Sequence, residues 1–146
     1  MKSYFLDTSA LVKIYHSEVG SEYCLARYED NSHLVISELA RVELYSAILR
    51  KKQNGELSTK ALTAVSQRFD CDCEERFEVL HVASLVYDEA CRLLSTYAES
   101  HGLRTLDSIQ LATYLTYCEK DRDVFVSADR KLSRVAEYEG AQAVFV

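Results

Sequence analysis

Proline is absent from this chain of 146 residues, as are low-complexity stretches and internal repeats at solenoid periods. Nothing therefore marks a linker, and a single domain over residues 1–146 is expected. No apolar run approaches the roughly 18 residues that a membrane span needs. The short apolar stretch from Tyr4 to Leu6 is broken by Asp7 before it could form the core of a secretory leader. A cytoplasmic protein without a membrane partner is expected. Five cysteines in a chain with no export signal read as reduced thiols, and the odd number leaves one unpaired in any scheme. Cys71 and Cys73 have neither the second cysteine pair nor the histidine cluster that a zinc site requires.

Excess positive charge is also missing. The net charge is −6, which on its face argues against a nucleic-acid partner, because phosphate binding rests on Lys and Arg. Position matters more than the sum. Acids gathered round a metal ion are neutralised locally, and basic residues nearby stay free to touch phosphates.

Apolar or β-branched runs at Tyr4 to Leu6, Leu34 to Ile36, Phe77 to Val82, Val124 to Val126 and Ala143 to Val146 predict five strands. Apolar spacing of three and four residues predicts seven helices: Ala10 to His16, Glu22 to Tyr28, Glu38 to Gln53, Thr59 to Phe69, Leu85 to Ser100, Leu106 to Glu119 and Arg130 to Glu139. Each of the four glycines follows helical composition, where a left-handed residue commonly ends a helix. Continuously apolar strands alternating with helices imply a parallel sheet covered on both faces, an α/β three-layer sandwich. In such sheets ligands bind at the carboxyl ends of the strands, where the strand order reverses.

Four acids fall where that rule directs attention. Asp7 ends the first predicted strand and Asp129 follows the fourth, so both belong at one sheet edge; helix capping is the competing explanation for each. Glu43 borders the buried stripe Ala40, Leu44, Ala47 and Ile48, where a solvated glutamate would be ordinary. Asp107 opens an apolar helix, as a cap partner for Thr105 or as a group held for chemistry. Like charges about 4 Å apart cost roughly 4 kcal/mol per pair at an effective dielectric near 20, so a cluster of these acids needs a cation. Oxygen ligands without His or Cys select Mg²⁺ or Mn²⁺, and carboxylate-held ions of this kind support phosphodiester cleavage.

The segments YFLDTSALVKIY (from Tyr4), ISELARVEL (from Ile36), LRTLDSIQLATYL (from Leu103) and FVSADRKL (from Phe125) together resemble the four motifs of PIN-domain ribonucleases, and within them the VapC-type toxins. The resemblance spans essentially the whole chain. It implies a five-stranded parallel sheet in order 3-2-1-4-5 and an endoribonuclease with Asp7, Glu43, Asp107 and Asp129 as catalytic and metal-holding acids. It also implies supporting roles for Ser9 and Ser127. Gln110 stands where relatives often carry His. The cofactor implied is Mg²⁺ or Mn²⁺; the partners are RNA, a VapB-like cognate antitoxin and a second copy of the chain in a homodimer. Lys13, Arg104, Arg130 and Lys131, each close in sequence to one of the acids, are the candidate phosphate contacts, whereas the Arg50-Lys51-Lys52 run reads as a solvated helix end.

Other readings fit less well. An aspartyl-nucleophile phosphatase needs an Asp two positions after the first, where Ser9 stands. A response-receiver domain would want paired acids at the first strand and a strand-end Lys. A housekeeping PIN nuclease, or a PIN fold kept only for binding RNA or protein, is the alternative that the intact acids oppose without removing.

Overall fold

The structure, a computed structural model, describes residues 1–146. Its elements follow in the order β1 (Ser3–Leu6), α1 (Thr8–Tyr15), α2 (Ser21–Glu29), β2 (His33–Ser37), α3 (Leu39–Gln53), α4 (Thr59–Glu75), β3 (Phe77–Leu80), α5 (Ser84–His101), α6 (Thr105–Tyr117), β4 (Val124–Ser127), α7 (Arg130–Tyr138) and β5 (Gln142–Phe145). The strands form one parallel sheet in the order β3-β2-β1-β4-β5, as expected. No helix is long and apolar enough to cross a membrane.

The two-residue period of a strand builds two cores from the same short segments. Phe5, Val35 and Phe125 face one layer, joining Leu93 of α5, Leu111 and Tyr114 of α6, and Leu132 of α7. Their neighbours Leu6, Leu34, Ile36, Val124 and Val126 face the other, with Leu11 of α1, Leu44 and Ile48 of α3, and Phe69 of α4. Each such side chain contributes roughly 1.5–3 kcal/mol when fully buried. Phe5 stacks on Phe125 at 5.7 Å between centroids, and Tyr114 meets both edge-on. The Tyr114 hydroxyl, taken out of water, donates to the Asp123 carbonyl at 2.8 Å.

Some boundaries differ from the sequence expectation. The apolar stripe of α4 ends at Phe69, yet the helix runs to Glu75, because Asp72 is buried and accepts from the hydroxyls of Tyr15 (2.6 Å) and Tyr28 (2.9 Å). Within that extension Cys71 is exposed and Cys73 half-buried, as two-residue spacing on a helix sends the thiols to different sides. β3 stops at Leu80, since the Val82 N–H donates to Glu38 Oε1 at 2.6 Å instead of to a strand. Gly20 does not end a helix. It precedes α2 at φ 91°, and a Cβ there would lie 2.6 Å from the Val146 carbonyl carbon.

Strand order places the site. β1 pairs with β2 on one side and with β4 on the other, and the chain leaves β1 toward β2. The connections diverge between β1 and β4, opening a crevice at their carboxyl ends.

Candidate active site

Asp7 is the first residue after β1, tied into the sheet edge by its N–H to the Val126 carbonyl at 3.1 Å. Its side chain is buried. Oδ1 accepts from the Ala10 N–H (2.9 Å) and the Ser9 hydroxyl (2.6 Å), and Oδ2 accepts from the Ser127 hydroxyl (2.5 Å). The Ala10 bond is an N-cap, so capping and membership of an acidic site, rivals on the sequence, coexist in one side chain. Burial lifts the carboxyl from its usual 3.8 to about 6; the bonds from Ser127, Ser9 and Ala10 pull against that rise, and the Asp107 charge adds to it.

Asp129 repeats the arrangement after β4, capping α7 through a bond from the Leu132 N–H at 3.1 Å. Two hydroxyls hold the strand ends together. Ser127 Oγ donates to Asp7 and accepts from the Asp129 N–H (3.0 Å), while Ser9 Oγ donates to Asp7 and accepts from the Ala128 N–H (2.8 Å).

Glu43, half-buried on α3, faces α1 and α6. Its Oε1 accepts from Thr8 Oγ1 at 3.0 Å and from Gln110 Nε2 at 2.7 Å, and Gln110 also donates to Thr8 Oγ1 at 3.0 Å. Gln110 is thus the group that orients Glu43, and its buried Oε1 has no partner. Sequence reading gave Gln110 and Thr8 no role; a buried polar residue three positions after Asp107 was the available signal. Asp107 stands in the first turn of α6 and caps nothing. Burial raises its pKa, the Asp129 charge raises it further, and Arg104, 3.6 Å away, holds it back.

All four acids line one cavity of about 440 Å³, together with Thr8, Ser9, Arg50, Arg104 and Gln110. Arg50, expected at a solvated helix end, lines this cavity as well. It lies seven residues after Glu43, two turns along the same helix face, a spacing that the sequence carried. Of the candidate phosphate contacts, Arg104 reaches this cavity, and Arg130 and Lys131 line the adjoining one with Asp107 and Asp129. Lys13 does not. It is buried, with its ammonium 3.2 Å from Glu18 Oε1 and bonded to the Val19 carbonyl. Six residues after Asp7, it leaves α1 about 120° round the axis from the crevice.

No three of these side chains stand at the spacing of a ready-made cation cage. Magnesium and manganese do not need one, since Mg²⁺ keeps several waters and takes one or two carboxylates plus substrate oxygens. The donor set is all oxygen, and both Asp7 and Asp107 carry raised pKa values that a divalent cation would relieve. The residues fit such an ion. The largest depression, about 690 Å³, lies beside this cavity and is mainly apolar, lined by Val42, Tyr45, Ile48, Phe69 and Tyr87.

A family model described as the PIN domain matches residues 4–138. The chain belongs to the PIN-domain family. Solved structures with the same fold include VapC20 of Mycobacterium tuberculosis, described as a sarcin-ricin loop cleaving toxin, with 15% identity, TM-score 0.68 and 90% of this chain matched to 93% of that one. FitAcB of Neisseria gonorrhoeae has 16% identity and TM-score 0.69, with coverage of 98% and 96%. VapBC2 of Rickettsia felis, bound to a DNA fragment from its promoter, has 16% identity and TM-score 0.66, with 98% coverage of both chains. No curated protein sequence matches. At these identities the structural likeness establishes the PIN fold, and the chemistry rests on the site.

Proposed function

We propose that residues 1–146 act as one PIN domain, a metal-dependent endoribonuclease that hydrolyses RNA phosphodiester bonds and serves as the toxin of a toxin-antitoxin pair. One observation carries the reading: Asp7, Glu43, Asp107 and Asp129, from four separate segments, open onto a single cavity at the strand-order switch. These four would hold Mg²⁺ or Mn²⁺, which supplies activation of water and charge stabilisation at the phosphate. Ser9 and Ser127 keep the Asp7 carboxylate in one orientation, and Thr8 and Gln110 do the same for Glu43. Arg104 and Arg50, which line the cavity wall, would meet phosphate oxygens.

The antitoxin assignment draws on the solved complexes of the same fold. An apolar groove bordered by Val42 and Tyr45 opens beside the carboxylates and suits an inhibitory segment; a homodimer belongs to the same proposal. The purified protein should cleave single-stranded or looped RNA in Mg²⁺ or Mn²⁺ and stop in EDTA, and alanine at any of the four acids should remove most activity. Cleavage undiminished in EDTA would rule out the metal mechanism.

A further inference from the structure

Two more depressions continue from the carboxylate cavity along α7. The first, about 400 Å³, shares Arg104, Asp107 and Asp129 with it and adds His101, Gly102, Arg130 and Lys131. The second, about 350 Å³, shares His101, Gly102, Arg130 and Lys131 with the first and ends at Arg134. No hydrophobic residue and no acid lines this far end.

In a chain of net charge −6, three cations gather here with no acid in the lining. Lys51, Arg92, Arg104 and Arg122 hold carboxylates, whereas the exposed Arg130, Lys131 and Arg134 have no acidic partner. Arg130 and Arg134 are four residues apart on one helix face, a like-charge spacing that is unfavourable unless an anion offsets it. Four residues further on, the same face carries Tyr138, 59% exposed. Its ring is stacked on Tyr97 at 6.4 Å and braced edge-on by His101 at 5.1 Å. Cations leading to a rigid, open aromatic face are the parts from which single-stranded nucleic-acid grooves are built.

We propose that this trough binds the RNA strand flanking the cut, with Arg130, Lys131 and Arg134 taking backbone phosphates and Tyr138 stacking on a base. The inference rests on the nuclease reading for its substrate. Continuity with the carboxylate cavity favours RNA over an acidic protein segment, because a strand cut at the acids must leave the cavity along its walls.

The test is binding of a fluorescein-labelled oligouridylate of about a dozen nucleotides, by anisotropy in EDTA across a salt series. Arg134→Ala should weaken binding about three- to tenfold near 0.1 M salt and lower the slope of log K against log salt by about 0.7. Arg134→Lys should restore most of the slope. Tyr138→Ala should weaken binding about fivefold or more at every salt concentration, and Tyr138→Phe, which keeps the ring, should not. Lys60→Ala, an equal charge loss at an exposed position of α4, should change neither.

The proposal is overturned if Arg134→Ala and Tyr138→Ala bind like wild type, if Lys60→Ala costs as much as they do, or if the wild type fails to bind at low salt. Unchanged RNA affinity with lost binding of a polyglutamate peptide would assign the trough to an acidic protein segment and overturn it too. Binding that depends on the trough, without cleavage in Mg²⁺, would support this inference and sink the nuclease reading instead.

Discussion

Asp7→Asn should make the metal-free protein more stable, although it alters a buried, fully hydrogen-bonded residue. Asn caps helices as well as Asp does, so the bond from Ala10 survives, and the Ser127 hydroxyl can turn to accept from the new amide. What disappears is the burial cost of the carboxylate. A carboxyl raised from 3.8 to about 6 on folding is favoured in its protonated form, so its contribution is fully present below 3.8 and is lost as pH rises through 6. The difference amounts to about 3 kcal/mol at pH 7.5 and about 0.5 kcal/mol at pH 4. At roughly 3 to 4 °C per kcal/mol for a domain of this size, the variant should melt up to about 10 °C higher at pH 7.5 in EDTA, with the gap nearly closed at pH 4. Mg²⁺ at about ten times its dissociation constant should stabilise the wild type by about 1.4 kcal/mol and the variant by clearly less. Thermal melts of both proteins at the two pH values, with EDTA or Mg²⁺, measure all of this. A variant less stable than wild type by the same margin at both pH values, with the full metal response, would refute the account: Asp7 would then be a cap and no part of a charged site.

Gln110→Leu removes the shorter of the two bonds to Glu43 while filling a similar volume, and should lower kcat by about ten- to a hundredfold with little change in melting temperature; wild-type kinetics would deny Gln110 its positioning role. Arg104→Ala withdraws the one cation beside Asp107, so the acidic limb of a pH-activity profile should move to higher pH, and an unmoved limb would show that Asp107 does not titrate in that range. Asp72→Ala strands the hydroxyls of Tyr15 and Tyr28 beside a new void and should cost about 2–4 kcal/mol in urea denaturation without touching the site, whereas a loss under about 0.5 kcal/mol would mean that the α4 extension is not held this way.

The strands were legible because burial on both faces demands continuous apolar runs, and Tyr4 to Leu6, Leu34 to Ile36 and Val124 to Val126 stand out against polar surroundings; the sheet order followed only from the resemblance to the PIN family. Asp7 and Asp129 could be placed at one edge from the same runs, since parallel strands end on the same side. Glu43 and Asp107 needed the family motifs to be singled out, because a helical glutamate and a first-turn aspartate are ordinary residues on their own. The last turns of α4 were invisible, as no apolar period marks residues 70–75 and the partners of Asp72 lie far away in the chain.

Periodicity and strand ends are local properties, and they were enough to settle the α/β class, the helix and strand inventory and the edge where chemistry would gather. Partnership between distant side chains is not local. Lys13 sits six residues from Asp7 yet is turned away and spent on Glu18, while Gln110, 67 residues from Glu43, holds its carboxylate. Arg134 belongs to the basic trough because α7 lies beside the end of α5, a contact between segments with no common pattern in the chain. Hydrogen bonds and cavities form between whichever groups packing brings within about 3 Å, and packing is set by both cores at once.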